Sequence, residues 1–145
     1  MSKSVTMRTG AQRVKYTVVF EVVLMSLLIP AGAIFFDKGL SEVGVLGIIL
    51  SVKAMVLGLA YNWLFDAVDA KSGRIASDRS AIGRILHAFG FEISLTMTSL
   101  PIYMWWLGLG LLQAFTTDIV VTSFVVLYTF LFTLTYDRLF PVRAR

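Results

Sequence analysis

The sequence contains no cysteine, only one histidine and few charged residues. Of its 145 residues, 15% are charged and 57% are apolar, whereas water-soluble domains carry about 25% charged and about 45–50% apolar residues. Without cysteine the chain can form neither a disulfide nor a thiolate metal site. A single histidine and no metal-spaced pair also leave little for catalysis, so we expect no enzyme, no cofactor and no metal.

Four long apolar runs fill most of the chain. They extend roughly over residues 16–36, 43–65, 85–112 and 119–136. A helix needs about 20 such residues to cross the hydrocarbon core of a bilayer. The runs are apolar on every face, unlike the alternating strands of about 10 residues in a membrane barrel. The sequence therefore predicts an all-α membrane protein with four transmembrane helices.

The basic residues are distributed asymmetrically, which predicts the orientation in the membrane. Eleven of the 13 lysines and arginines flank the runs on one side, and Lys38 and Lys53 are the exceptions. Loops rich in Lys and Arg stay in the cytoplasm, so we expect a multi-pass protein of the bacterial inner membrane with both termini cytoplasmic. The net charge of +4 then requires no nucleic-acid partner. The eleven are Lys3, Arg8, Arg13, Lys15, Lys71, Arg74, Arg79, Arg84, Arg138, Arg143 and Arg145.

The chain repeats itself. An offset of 71 residues aligns Glu21 with Glu92, and an offset of 67 aligns the Tyr61–Phe65 segment with its counterpart at Tyr128–Phe132. We therefore predict two tandem helical hairpins, which form a parallel internal repeat: residues 1–70, a cytoplasmic loop at 71–83, and residues 84–145. The first offset also aligns Arg13 with Arg84, Phe20 with Phe91, and Pro30 with Pro101. The prolines can serve as hinges or simply reflect the frequency of proline in membrane helices.

Glu21 and Glu92 are acids inside apolar runs. Each lies eight residues after its aligned arginine, which is about 12 Å along a helix and near the middle of the bilayer. Insertion of such a carboxylate costs about 2.5–3.5 kcal/mol, so it usually faces the bundle interior and marks an ion or substrate route. A carboxyl group that binds either a proton or a cation is the minimum for antiport. The alternative is a protonated glutamate that only holds helices together.

Several segments resemble one known family. The run from Arg84 through His87 and Phe91 to Glu92, together with Tyr128–Phe132 and Tyr136-Asp137, is similar to the third- and fourth-helix motifs of the proteobacterial antimicrobial compound efflux transporters. The first two helices carry weaker forms of their motifs, in Arg13, Phe20 and Glu21 and in Tyr61, Asn62, Phe65 and Asp66. The resemblance implies a proton-coupled antiporter that exports biocides such as chlorhexidine or short-chain diamines, with Glu21 as the coupling residue.

The sequence departs from that family at three places. Tyr16 stands where the second copy has His87, the end of the second-helix motif is altered at Asp69 and Ala70, and Lys53 lies inside the second run. His87 can relay protons toward Glu92 or anchor its helix at the interface. We hypothesise that Lys53 forms an intramembrane ion pair with Glu21 or Glu92 and modifies coupling. Lys53 can also be displaced by substrate, or extend toward an interface.

Other polar and aromatic residues are further candidates. Asp118 is predicted to cap the start of the fourth helix, or to attract cations at the outer side. Asn62, Asp66 and Asp69 share one helix face, which can gather cationic substrate or simply be solvated. Trp105, with Tyr103 and Trp106, suits an interfacial belt or a cation–π contact. Tyr128 and Asp137 are candidates because they belong to the segments that resemble the fourth-helix motif of the family.

The function that these features predict is proton-coupled export of amphipathic organic cations. The competing function is that of a non-transporting membrane protein whose buried acids are structural or bind a partner. A channel is less favoured, because no polar stripe runs the length of any helix. Four helices hardly enclose a large substrate, so we expect a homo-oligomer, a dimer in the simplest case.

Overall fold

The computed structural model describes residues 8–73 and 80–141, and these residues form four α-helices. The helices are α1 (Gly10–Phe36), α2 (Leu40–Lys71), α3 (Ala81–Leu107) and α4 (Leu111–Leu139). All four are long and apolar enough to cross a membrane, which confirms the predicted all-α architecture. Part of the predicted basic clusters lies outside the described residues, namely Lys3, Arg74, Arg79, Arg143 and Arg145.

The ends of α1 and α3 follow ordinary capping rules. Thr9 and Gln12 form a capping box at the start of α1, and the Ser80 side chain accepts a hydrogen bond from the Gly83 amide at the start of α3. Both helices end on a residue in the left-handed region, Asp37 with φ 51° and Gly108 with φ 68°. These two residues are 71 positions apart, so the repeat extends to the helix ends.

The boundary between α3 and α4 corrects two predictions. The sequence predicts a third apolar run that continues to Leu112, but α3 ends at Leu107 and Leu112 belongs to α4. Gly108 and Gly110 break the helix although the segment stays apolar, so a hydropathy window passes over the turn. Asp118 therefore lies inside α4 rather than at its start, and the prediction that it caps the helix is wrong.

The chain divides into two compact units. Unit 1 contains the residues up to Val43 and those from Ile119 onward, so its main helices are α1 and α4. Unit 2 contains Gly44–Asp118, which covers most of α2, all of α3 and the beginning of α4. Each unit thus combines helices from both hairpins of the sequence repeat.

Unit 1 is held by a column of aromatic rings. On α4 these rings recur every four residues and so share one helix face. Tyr16 of α1 meets Phe132 edge-on at 5.4 Å and Tyr136 at 5.0 Å between ring centroids. Phe20 meets Tyr128 at 5.0 Å and Phe132 at 5.2 Å. Aromatic pairs of this kind contribute about 0.5–1.5 kcal/mol beyond the burial of their area.

Unit 2 contains the equivalent cluster between α2 and α3. Tyr61 lies 5.4 Å from Phe91, and Phe65 meets His87 edge-on at 4.5 Å. By the two repeat offsets these pairs correspond to Tyr128–Phe20 and Phe132–Tyr16 of unit 1. Duplicated residues therefore make equivalent contacts inside the two units. Most large apolar side chains of the described residues face outward instead, as a lipid-facing surface requires.

Candidate functional site

Glu21 lies in unit 1 beside a hydrogen bond that fixes its helix. The residue is half-buried on α1, and the Tyr128 hydroxyl donates to the carbonyl oxygen of the preceding residue, Phe20, at 2.8 Å. Tyr128 is itself buried, and its phenol is within electrostatic range of the Glu21 carboxylate. The structure thus brings together two residues that the sequence selected separately, Glu21 and Tyr128.

Tyr16 lies five residues before Glu21, as His87 lies five residues before Glu92, so the two residues are equivalent in the repeat. Its hydroxyl shares a hydrogen bond of 2.8 Å with Thr133 Oγ1 on α4. The ring also belongs to the aromatic column, so α4 fixes both ends of this side chain. At this repeat position the copy that contains Glu21 therefore has the phenol of Tyr16, hydrogen-bonded to Thr133. The copy that contains Glu92 has the imidazole of His87.

Asp137 lies at the far end of the same unit. Its carboxylate forms an ion pair with Arg8, and the Arg8 guanidinium lies over the rings of Tyr16 and Tyr136 at 5.0 and 5.4 Å from their centroids. A guanidinium over an aromatic face is attracted by the ring quadrupole. Asp137 is thus engaged in joining the start of the described chain to α4.

Unit 2 contains a group of polar side chains inside the apolar helices. The Lys53 ammonium on α2 donates hydrogen bonds to Ser99 Oγ and, at 3.2 Å, to the carbonyl oxygen of Leu95. The carboxylates of Asp118 and Glu92 are both within electrostatic range of that ammonium. Thr96 Oγ1 donates to Asp118 Oδ2 at 2.7 Å, and both Ser99 and Asp118 are 5% exposed. We call Lys53, Glu92, Thr96, Ser99 and Asp118 the lysine cluster.

The lysine cluster shows which groups surround Lys53, whose partner the sequence left undecided between Glu21 and Glu92. The neighbours of Lys53 include Glu92, which is one of its two predicted partners, and Asp118, which the sequence does not predict as a partner. Within residues 8–73 and 80–141, no carboxylate oxygen lies within 4.0 Å of the Lys53 ammonium, which is bound instead by a hydroxyl and a carbonyl. Thr96 and Ser99 were missed, although four Ser and Thr residues between 94 and 99 interrupt an otherwise apolar run.

His87 lies among aromatic rings. Its ring centroid is 5.1 Å from Tyr61 and 4.5 Å from Phe65, and its backbone carbonyl accepts a hydrogen bond of 3.0 Å from the Tyr61 hydroxyl. The Nδ1 atom is buried and has no hydrogen-bond partner among the described residues. The proposed relay from His87 to Glu92 stays a prediction.

The remaining candidates of α2 and α3 differ in how far they are exposed. Asn62 and Asp66 are exposed on α2, whereas Asp69 on the same predicted face is 9% exposed. Trp105 is 78% exposed, and its ring meets Trp106 edge-on at 5.6 Å. An outward-facing tryptophan fits the interfacial belt better than a buried cation–π site.

Comparison with known proteins gives a consistent result. The family model for chlorhexidine efflux transporters (BTP) matches the chain twice, over residues 8–71 and 79–142. A short-chain diamines transporter of Vibrio parahaemolyticus is 32% identical over 133 residues, which cover 92% of this chain and 93% of the relative. Proteins of the same name from Acinetobacter baylyi and Acinetobacter baumannii are 29% and 27% identical, covering 92% of this chain and 92% and 90% of the relatives. No solved structure matches the chain.

Proposed function

Since the chain belongs to the chlorhexidine efflux transporter family, we propose that it exports amphipathic organic cations in exchange for protons. The family is one of efflux transporters, which supports transport rather than catalysis, and the two family matches coincide with the two hairpins of the repeat. The observation that carries the coupling proposal is the half-buried Glu21, next to the hydrogen bond between Tyr128 and the Phe20 carbonyl.

The chemistry at Glu21 supports competition between a proton and a cation. A carboxylate within a spanning helix must be compensated, because an isolated charge is costly in hydrocarbon. A bound cation compensates it by charge, and a bound proton removes the charge. Binding of one ligand therefore releases the other. The cation leaves on the outer side as a proton arrives, and the proton is released on the inner side when the next cation binds.

Short-chain diamines are the substrate class that we favour. Three relatives, each aligned over nine-tenths of this chain, bear the name of short-chain diamines transporter. The family description instead names chlorhexidine, so biocides are the second substrate class. Phe20 and Tyr128 beside Glu21 add aromatic surface, which suits the aliphatic or aromatic body of an amphipathic cation.

The proposed orientation places both termini in the cytoplasm of a bacterial cell, with the protein in the inner membrane. Described basic residues on that side include Arg8, Arg13, Lys15, Lys71 and Arg84. Export is then movement from the cytoplasm, where the termini are proposed to lie, to the outer side of the membrane. We further propose that the working protein is a homodimer, because four helices enclose little space.

Transport in liposomes tests the proposal. Purified protein is reconstituted, a pH gradient is imposed, and proton movement is followed with an interior pH dye after addition of a short-chain diamine or chlorhexidine. We expect substrate-dependent proton movement from the wild type and less than a tenth of that rate from Glu21→Gln. Glu92→Gln is the matched control and should retain more activity than Glu21→Gln. Equal rates from wild type and Glu21→Gln would contradict the coupling role, and no substrate-dependent movement from wild type would favour the non-transporting alternative.

A further inference from the structure

The lysine cluster of unit 2 has no role in the exchange proposed for Glu21. It places a lysine, two acids and two hydroxyl groups within apolar helices, where each uncompensated charge is costly. Two of its side chains, Ser99 and Asp118, are almost fully buried. The hydroxyl groups already have partners: Ser99 accepts from Lys53, and Thr96 donates to Asp118.

Unit 1 lacks this cluster at the equivalent positions. The offset of 67 aligns Lys53 with Val120. The offset of 71 aligns Thr96 with Met25 and Ser99 with Leu28. Only the glutamate is shared by the two copies. The cluster is therefore a separate feature of the second unit rather than a general consequence of the repeat.

The groups around Lys53 are those that bind a primary alkylammonium ion. Such an ion has three N–H donors and a single positive charge. Ser99 Oγ and the Leu95 carbonyl accept two of the donors, and Asp118 and Glu92 supply negative charge nearby. The lysine side chain beyond its Cα is itself an n-butylammonium group. The structure thus contains an alkylammonium ion bound within unit 2, and this ion is covalently part of the chain.

We propose that the lysine cluster is a primary-alkylammonium site that the chain closes with its own Lys53. Removal of the lysine side chain opens the site to a free short alkylammonium ion. In the unmodified protein a free amine must displace a tethered one, whose effective concentration reaches the millimolar range or more. Lys53 thereby restricts amine binding in unit 2. The site is independent of the role proposed for Glu21, which belongs to unit 1.

The test is ligand binding in a background that lacks the proposed transport site. The double variant Glu21→Gln/Lys53→Ala is purified in detergent, and its unfolding temperature is measured with n-butylammonium chloride or with sodium chloride at equal ionic strength. We expect a saturable rise with n-butylammonium alone. Tetramethylammonium, which has the charge but no N–H donor, should give no rise. Addition of Ser99→Ala removes one acceptor and should weaken n-butylammonium binding about tenfold.

The matched control removes a lysine with different surroundings. Lys38 forms an ion pair of 3.1 Å with Glu42, four residues away, and both side chains are more than a third exposed. Glu21→Gln/Lys38→Ala should therefore show no specific response to n-butylammonium. An equal response from the two double variants would overturn the proposal, as would no response from a folded Glu21→Gln/Lys53→Ala.

Folding itself gives a second readout if Lys53→Ala is unstable without a ligand. Expression and purification are then performed with n-butylammonium or with tetramethylammonium throughout. We expect folded protein with the first cation only, and the same low yield with either cation would overturn the proposal. Every measurement here is of binding or folding in the Glu21→Gln background. A failure of this proposal is therefore distinguishable from a failure of the transport proposal, which is tested with the wild type.

Discussion

The hydroxyl group of Tyr128 donates a hydrogen bond to the backbone carbonyl of Phe20. Tyr61, the equivalent residue of the first hairpin, makes the same kind of bond to the carbonyl of His87. Phe20 is equivalent to Phe91 in the repeat, and His87 lies four residues before Phe91, so the two acceptors are about one helical turn apart. Gly90 explains the difference, because a Cβ atom there would collide with the Tyr61 hydroxyl, whereas the equivalent residue in unit 1 is Val19. Both copies thus anchor the glutamate helix by a tyrosine, but at different turns.

Replacement of Tyr128 tests the anchor next to Glu21. Tyr128→Phe keeps the ring in the aromatic column and removes only the hydrogen bond to Phe20, so we expect a loss of about 1 kcal/mol in the free energy of unfolding. The measurement is equilibrium unfolding in mixed micelles. Tyr136→Phe is the control, since Tyr136 is buried on the same helix and its hydroxyl has no hydrogen-bond partner among the described residues. Equal losses from both variants would contradict the assignment.

A second prediction concerns the space at Gly90. Gly90→Ala forces the Tyr61 hydroxyl away from the His87 carbonyl, and overpacking of this kind costs about 1–3 kcal/mol. Adding Tyr61→Phe deletes the clashing oxygen, so the double variant should recover part of the stability lost by Gly90→Ala. Gly58→Ala is the matched control because its new Cβ would lie 3.7 Å from Phe91, an ordinary contact. If the double variant were less stable than Gly90→Ala, the clash would not be the cause.

The two left-handed helix ends predict effects of opposite sign. Asp37→Gly relieves the strain of a side chain at φ 51° and should stabilise the protein by about 0.5–1 kcal/mol. Gly108→Ala introduces that strain at φ 68° and should destabilise it by about 1 kcal/mol. Gly110→Ala is the control, because its φ is not in the left-handed region. Unfolding in mixed micelles measures all three, and changes of the same sign at Asp37 and Gly108 would refute the shared geometry.

The proposed orientation can be tested with single cysteines, since the chain has none of its own. Gly39→Cys lies between α1 and α2, and Ser72→Cys lies just after α2. In spheroplasts we expect a membrane-impermeant maleimide to label Gly39→Cys, and to label Ser72→Cys only after the membrane is permeabilised. The reverse pattern would place the termini outside the cytoplasm.

The sequence was sufficient for the helices and the repeat, but not for the neighbours of each polar residue. Apolar length alone specifies a membrane helix, so the four spans were predicted, and Glu21 and Glu92 were conspicuous as charges within them. The partners of Lys53 depend on how α2 and α3 are rotated against each other, and helices that are apolar on all faces carry no periodic signal of that rotation. The position of Asp118 was missed because the Gly108–Gly110 turn lies within continuous apolar sequence.

The pairing of α1 with α4 has a consequence for biogenesis. The Tyr16–Thr133 hydrogen bond joins residues 117 positions apart, and the Tyr128–Phe20 bond spans 108. Ribosomes deliver α1 to the membrane first and α4 last, so the hydroxyl groups and aromatic faces of α1 meet their native partners only when synthesis is almost complete. A nascent chain stopped before Ile119 lacks every ring that contacts Tyr16 from α4. Such truncated chains should be recognised and degraded as unassembled, and release of the full-length protein from the insertion machinery should coincide with entry of α4.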